Sequence, residues 1–295
     1  MGKRVPKIHS YGFFNVDKPS GIVSSTVVNK LKRLSGLPCG HMGTLDPLAS
    51  GVLPVGAGNA TRLFDYFLEK EKEYVAEFTF GVDSDTLDST GTLIYGGHVP
   101  NEREIADVLP TMVGEIMQMP PKYSAKNVNG KRGYELARAG IEFALEPKKI
   151  VIHSLELLKR VSENTFCVRI RCGGGTYIRS IGRDLAESLG THAVMSALRR
   201  TKSGVFTVGD AIPFSVIEQD PTPAELEKYL IPTESVLPYP TLTLCGKGWQ
   251  KIFNGVAVPA DASDGLYKFF HEDGSFYGVA EVKNGSAKLK TKLGL

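Results

Sequence analysis

Two eight-residue runs, 73–80 and 165–172, alternate apolar and polar side chains with the period of an extended strand. In the first, Tyr74, Ala76, Phe78 and Phe80 fall on one face, with Tyr74 at the strand's entrance. Helical spacing appears between and around them. Ser24 or Ser25 is placed to cap a helix bearing Val27, Val28, Leu31 and Leu34, which Gly36 closes. Asn59 is read as the cap of a second helix bearing Leu63, Phe64, Phe67 and Leu68. Asn101 and Glu104 form a capping box ahead of Ile105, Val108, Leu109 and Met112. After the glycine run at 173–175, Ile178, Ile181, Leu185 and Leu189 mark a helix that ends at Gly190, and 191–200 reads as one more. The chain therefore carries both strands and helices.

From residue 213 the pattern loosens: Pro213, Pro221, Pro223, Pro232, Pro238 and Pro240 punctuate it, which puts a domain boundary near 236–240. Beyond it, short alternating runs at 266–270, 276–282 and 287–292 are separated by turn signals at 272–274 and 283–285. Three such strands suggest a small β domain. Lys288, Lys290 and Lys292 would share one strand face, which suits either edge protection or RNA contact.

The segment 41–62 is the chemical focus. It carries one carboxylate, Asp46, between Leu45 and Pro47 and ahead of an apolar, glycine- and proline-rich stretch. Pro47 biases Asp46 towards an extended backbone, and a single charge in apolar company on a rigid, irregular loop suits a reactive acid. An Asp before Pro also caps ordinary turns, so these residues alone leave both readings open. Arg179 lies in the first turn of its helix, where the helix dipole disfavours a cation, so it requires a specific anionic partner such as Asp46. Between 119 and 138 the composition changes: Lys122, Lys126, Lys131, Arg132 and Arg138 sit with Tyr123 and Tyr134 against a single acid, Glu135. Basic side chains can neutralise phosphates and interleaved rings can stack on bases. A solvated loop has the same composition.

Other classes are weakly supported. The glycine run at 173–175 lacks both the Walker lysine and a G-x-G-x-x-G pattern, which counts against nucleotide cofactors and phosphoryl transfer. The acids at 83, 85 and 88 miss the register of a calcium loop, and Cys39, Cys167, Cys172 and Cys245 have no zinc spacing. No metal is expected. Residues 1–10 lack a signal peptide's apolar run, and no stretch suits a membrane span, so a cytoplasmic protein is expected. A net charge of +3 permits a polyanionic partner without demanding one.

The string His41-x-Gly43-Thr44-Leu45-Asp46-Pro47-Leu48-Ala49-x-Gly51-x-Leu53-Pro54 resembles the catalytic motif of the TruB family, the tRNA pseudouridine-55 synthases. Lys18-Pro19-x-Gly21 with Ser24 is similar to the family's opening motif, and Gly175-Thr176-Tyr177-Ile178-Arg179 to another of its motifs. The resemblance spans 11 to about 210 and, more loosely, the rest. It implies a mixed α/β domain with a largely antiparallel central sheet over residues 1–238, and a PUA-like RNA-binding β domain over 239–295. Asp46 is then catalytic and paired with Arg179. Tyr74, Tyr177 and Leu198 line the base pocket, His41 helps hold the extruded nucleotide, and Lys18 belongs to the substrate site. An RNA-clasping insertion at about 115–150 carries the basic residues from Lys122 to Arg138. The implied reaction isomerises a uridine of the tRNA T arm, without cofactor, in a stand-alone monomer. An RNA-binding or RNA-folding module and a guide-RNA-dependent synthase subunit are the alternatives.

Overall fold

A computed structural model of the chain describes residues 11–68, 70–124, 127–128, 130–244 and 246–294, and within them all side chains but those of 68, 127, 128, 131, 132, 134, 246 and 247. The chain opens with strand β1 (Gly12–Lys18), helix α1 (Ser24–Ser35), the short β2 (Cys39–His41) and β3 (Ser50–Ala57). A 3-10 turn, Gly58–Leu63, leads into α2 (Phe64–Leu68) and β4 (Lys72–Phe80). A hairpin of β5 (Val82–Ser84) and β6 (Leu93–Tyr95) follows, then α3 (Glu102–Val108) and β7 (Gly114–Gln118). The basic segment forms a two-rung hairpin, β8 (Asn127–Val128) and β9 (Lys131–Arg132), and α4 (Gly133–Arg138). Then come β10 (Lys148–Arg160), β11 (Thr165–Cys172), α5 (Ile178–Ser188) and β12 (Ala193–Ser203).

One large sheet runs in the order Ile212–Pro213, β1, β3, β12, β4, β11, β10, β7. Only β3 with β12 and β1 with Ile212–Pro213 pair in parallel; the other neighbours are antiparallel, as expected of this sheet. One face buries Phe14, Leu53, Ala76, Phe78 and Ile170 beneath Leu31 of α1 and Ile181 and Leu185 of α5. The two alternating runs become β4 and β11, adjacent and in register from Thr79↔Thr165 to Lys72↔Cys172. The capping box of α3 is formed, with Asn101 accepting from Arg103 and Glu104 and Glu104 closing back onto Asn101.

Four local expectations give way to tertiary context. Residues 191–200, expected as a helix, hold no helix, and from Ala193 onwards they belong to β12, held between β4 and β3. Their Ala, Met, Leu and Arg content favours helix by only tenths of a kcal/mol each, less than a central slot supplies through two ladders and burial. Residues 50–57, expected as irregular loop, are the buried strand β3. Pro54 is tolerated there because β12 flanks only Ser50 and Gly51 while β2 flanks Val55 to Ala57, so no ladder donor is demanded of it. Asn59 caps nothing: the turn's cap is Ala57, and Asn59 Nδ2 donates to Leu293 O at 2.7 Å. The cap of α1 is Val23, without a side-chain bond, which frees Ser24 for another task.

A second, five-stranded sheet runs Thr241–Leu244, Gly265–His271, Phe276–Lys283, Ser286–Lys292, Val258–Pro259. It includes the three expected strands, and Asn284 and Gly285 take positive φ (51° and 70°) in the tight turn between two of them. Lys288, Lys290 and Lys292 are all exposed, Lys290 pairing with Glu281 at 3.2 Å. The second sheet packs on the back of the first: Val279 and Leu293 share a core with Phe13, Met42, Val52, Phe67 and Phe206. Tyr11 Oη donates to Phe276 O at 3.1 Å, and the Tyr66 and Thr291 hydroxyls bond at 2.8 Å.

At Gly51 (φ +102°) a Cβ would lie 2.2 Å from the Arg200 carbonyl oxygen. Gly51→Ala is expected to destabilise the fold by on the order of 3 kcal/mol, read as a lower urea midpoint. An unchanged midpoint would refute this close approach.

Candidate active site

Asp46 sits on a six-residue loop whose carbonyl groups are all held. Arg200 Nη2 donates to Gly43 O at 3.1 Å and, more distantly, Nη1 to Thr44 O at 3.5 Å. Ser24 Oγ donates to Leu45 O at 2.8 Å and accepts from Leu45 N at 3.0 Å. Asp46 O accepts from Ala49 N, Pro47 O from Gly21 N, and Leu48 O from Ser20 Oγ. Lys18 Nζ donates to Pro19 O (2.9 Å), Ile22 O (2.8 Å) and Pro47 O (3.4 Å). Lys18, expected at the substrate, is fully buried and serves as a tether between the 18–24 turn and the loop. The opening motif is thus one jaw of a clamp, and Arg200 is the other.

The Asp46 carboxylate, one-third exposed, meets the Arg179 guanidinium in a two-point contact: Oδ2 to Nε at 3.0 Å and Oδ1 to Nη2 at 3.3 Å. Arg179 is itself 7% exposed. It stands in the first turn of α5, where the helix dipole opposes a cation, and its surroundings offset that. Nη1 donates to Thr86 O and Nη2 to Tyr123 O, each at 3.0 Å, and Asp88 lies 3.7 Å away. Asp88 is oriented by the Thr86 hydroxyl (2.8 Å) and Thr90 N (3.0 Å). Every direction of the fork is therefore specified, and the pair can rotate only as a unit.

The apolar and aromatic residues expected at the site lie on different elements, and Tyr74 and Leu198 share a core with Leu45 of the loop. Tyr74 and Leu198 come from β4 and β12, whose register sets Tyr74 opposite Arg200 and Leu198 opposite Ala76. Both are largely buried, and burial raises the Tyr74 phenol's pKa while the Arg200 charge opposes the rise. Tyr177 is the residue before α5 and remains partly exposed. His41 ends β2; burial, with the Arg200 charge beside it, lowers its pKa and leaves a neutral ring at pH 7. Beside Tyr123 opens a groove of about 940 Å³ lined by Leu87, Met119, Pro121, Lys122 and Ile141. Lys122 and Arg138 are exposed along this segment. Lys126 lies outside the described residues, as do the side chains of Lys131 and Arg132, whose backbones form β9.

Three participants escape sequence reading. Arg200 is 1% exposed, and among the described residues no carboxylate comes within 4.0 Å of it; it also donates to Val52 O at 2.7 Å. Its only sequence signal is a charge ending an otherwise apolar run. Asp88 was legible only as part of a polar turn, and Gln118 not at all. Among the described residues no cluster of His, Cys, Asp and Glu could hold a metal, and no helix is long and apolar enough to cross a membrane.

Burial and the Arg200 charge also lower Lys72, beneath the loop, to about 8 from its usual 10.5. Between those values the unfolded chain binds more protons at Lys72 than the folded chain, so this group makes stability rise with pH across the window. Relative to Lys72→Met, the wild type should gain roughly 1 kcal/mol per pH unit from about pH 8 to 10, whatever the offset at neutral pH. Urea unfolding of both proteins at the two pH values checks the sign; a constant difference would refute the shift.

Comparison with known proteins shows the family. A model of the TruB family pseudouridylate synthase N-terminal domain matches residues 32–178, and one of the tRNA pseudouridylate synthase B C-terminal domain matches 179–238. The chain is 38% identical to the tRNA pseudouridine synthase B of Acaryochloris marina, over 96% of this chain and 98% of that one. It is 34% identical to the protein of that name from Clostridium kluyveri, over 94% and 98%. Among solved structures, a Cbf5–Nop10–Gar1 complex contains a chain similar in fold, with a TM-score of 0.68 and 26% identity over 96% of this chain and 85% of that one. With its Asp46 motif intact, the chain belongs to the TruB family of pseudouridylate synthases.

Proposed function

We propose that this chain isomerises uridine 55 in the T arm of tRNA to pseudouridine, with Asp46 as the reacting carboxylate. The observation that carries the proposal is the two-point Asp46–Arg179 contact on a loop held at every carbonyl, beside Tyr74 and Leu198. In the reaction the N1–C1′ bond breaks and a C5–C1′ bond forms, while C5 loses a proton and N1 gains one. Atoms and electrons balance within the nucleoside, so no co-reactant is consumed.

The geometry supports each requirement of that exchange. A stacked base has to leave the helix, and its lost stacking has to be replaced by side chains. Tyr74, Tyr177, Leu198 and neutral His41 supply the surfaces, and Asp46, as nucleophile or base, meets the nucleoside with Arg179 holding its orientation. A carboxylate that needs no reorganisation as charge develops contributes to catalysis in full. Residues 1–238 act as the catalytic unit, with the basic segment at about 115–150 clasping the T stem-loop. Residues 239–295 act as a PUA-like RNA-contacting unit, and the enzyme works as a cytoplasmic monomer without cofactor or protein partner.

The test is conversion of an unmodified tRNA transcript by purified protein with nothing added. Wild type should convert the T-arm uridine. Asp46→Asn should lose about a thousandfold or more in rate while binding the transcript within a few-fold of wild type. Binding by both proteins without conversion by either would overturn the assignment.

A further inference from the structure

We infer that Gln118 is a positioning residue for this reaction, fixing the start of α5 and through it Tyr177 and Arg179. The inference rests on the function proposed above. Gln118 ends β7, is 1% exposed, and turns its side-chain amide onto the backbone of Tyr177. Oε1 accepts from Tyr177 N at 2.9 Å and Nε2 donates to Tyr177 O at 3.1 Å. Only one orientation of the amide satisfies a donor and an acceptor on the same residue, so the pairing is unambiguous. In effect a side chain supplies the two hydrogen bonds that a neighbouring strand would give.

The place of this contact matters more than its strength. Tyr177 is the N-cap of α5, and no side chain of its own caps the helix. Its carbonyl already accepts the first helical bond, from Ile181 N at 3.2 Å, so Gln118 holds the residue from which the helix is launched. Arg179 follows two positions later. The next residue continues the grip: Met119 O accepts from Ser180 Oγ at 2.9 Å and from Arg183 Nη2 at 3.1 Å. Tyr123 O, four residues further, accepts from Arg179 itself. One face of α5 is therefore read by consecutive groups of the segment that leads into the basic insertion.

The amide's role is geometric, because its two hydrogen bonds go to the Tyr177 backbone and none goes to Asp46. Without it the first turn keeps its packing through Ile178 and Ile181 and its bonds to Met119 O, but loses the two bonds that fix the backbone at its first residue. A displacement of about 1 Å at a positioning group can cost on the order of a hundredfold in rate. Loss should thus appear in the chemical step and leave RNA affinity nearly intact.

Two substitutions test this, with single-turnover conversion of the tRNA transcript and transcript binding as paired readouts. Gln118→Met keeps the volume and deletes both hydrogen bonds; its conversion rate should fall about tenfold or more with affinity within about threefold of wild type. Gln118→Glu keeps the acceptor for Tyr177 N–H but, as a carboxylate, sets an acceptor against the Tyr177 carbonyl. Burial raises the pKa of such a carboxyl, and its protonated form restores the missing donor. The rate of Gln118→Glu relative to wild type should therefore rise at least about fivefold from about pH 8 to about pH 6, and fall again when the same sample is returned to pH 8. A merely structural role predicts a flat ratio. Should Gln118→Met not fold, the reversible pH ratio decides alone. Wild-type-like rates in Gln118→Met, or a flat ratio in Gln118→Glu, would overturn the inference while leaving the synthase reading intact. A wild type that converts no uridine would remove that reading, and this one with it.

Discussion

A single carboxylate is useful only if its backbone cannot drift, and the fold meets that requirement with hydrogen bonds to carbonyl oxygens. From Gly43 to Leu48 every main-chain oxygen has a donor, and five of the six accept from side chains: Arg200 at two, Ser24, Ser20 and Lys18 at one each. Lys18 adds a second bond at Pro47. Bonds from charged donors contribute about 1.5–3 kcal/mol each, and a buried carbonyl left without one costs as much again. The loop lacks regular structure yet has a ladder's share of hydrogen bonds. This is why Lys18 and Arg200 can be buried with no carboxylate within 4.0 Å among the described residues, since partial charges fixed in the backbone solvate them.

That solution has an electrostatic consequence. Lys18, Lys72 and Arg200 crowd beneath the loop, and burial with the Arg200 charge lowers both lysines to about 8, although Asp46 pulls Lys18 the other way. Asp46 thus stands above a cationic floor and against the Arg179 fork. The helix dipole at the start of α5 adds to the positive potential, so the one-third-exposed carboxylate is where the surrounding field converges. Asp88, turned to the same guanidinium, shares the load without reaching the open side.

What could be read in advance was what local chemistry encodes. The alternation at 73–80 and 165–172, the Asn101–Glu104 capping box and the Asn284–Gly285 turn each specify their own backbone, and each formed. Arg179 announced a partner because a cation in a helix's first turn is locally unfavourable, and it meets Asp46. Residues 191–200 and 50–57 were misread because their conformation is decided by neighbours far along the chain, β4 and β1. Lys18, Ser24, Arg200 and Gln118 were misassigned or missed for a different reason. Their partners are main-chain groups, and a backbone carbonyl leaves no complementary residue type in the sequence.

The shared core behind the first sheet has a meaning in time. Met42, one residue before the clamped loop, packs with Phe13 and Val52 from the beginning of the chain and with Val279 and Leu293 from its far end. A ribosome delivers these residues in order, so Met42 lacks part of its apolar surroundings until Val279 and Leu293 have been made. Synthesis must therefore run past Leu293 before the Asp46 loop has its full support, and a chain stopped short carries its motif on an unfinished base. The second sheet thus completes a core that the first strands begin.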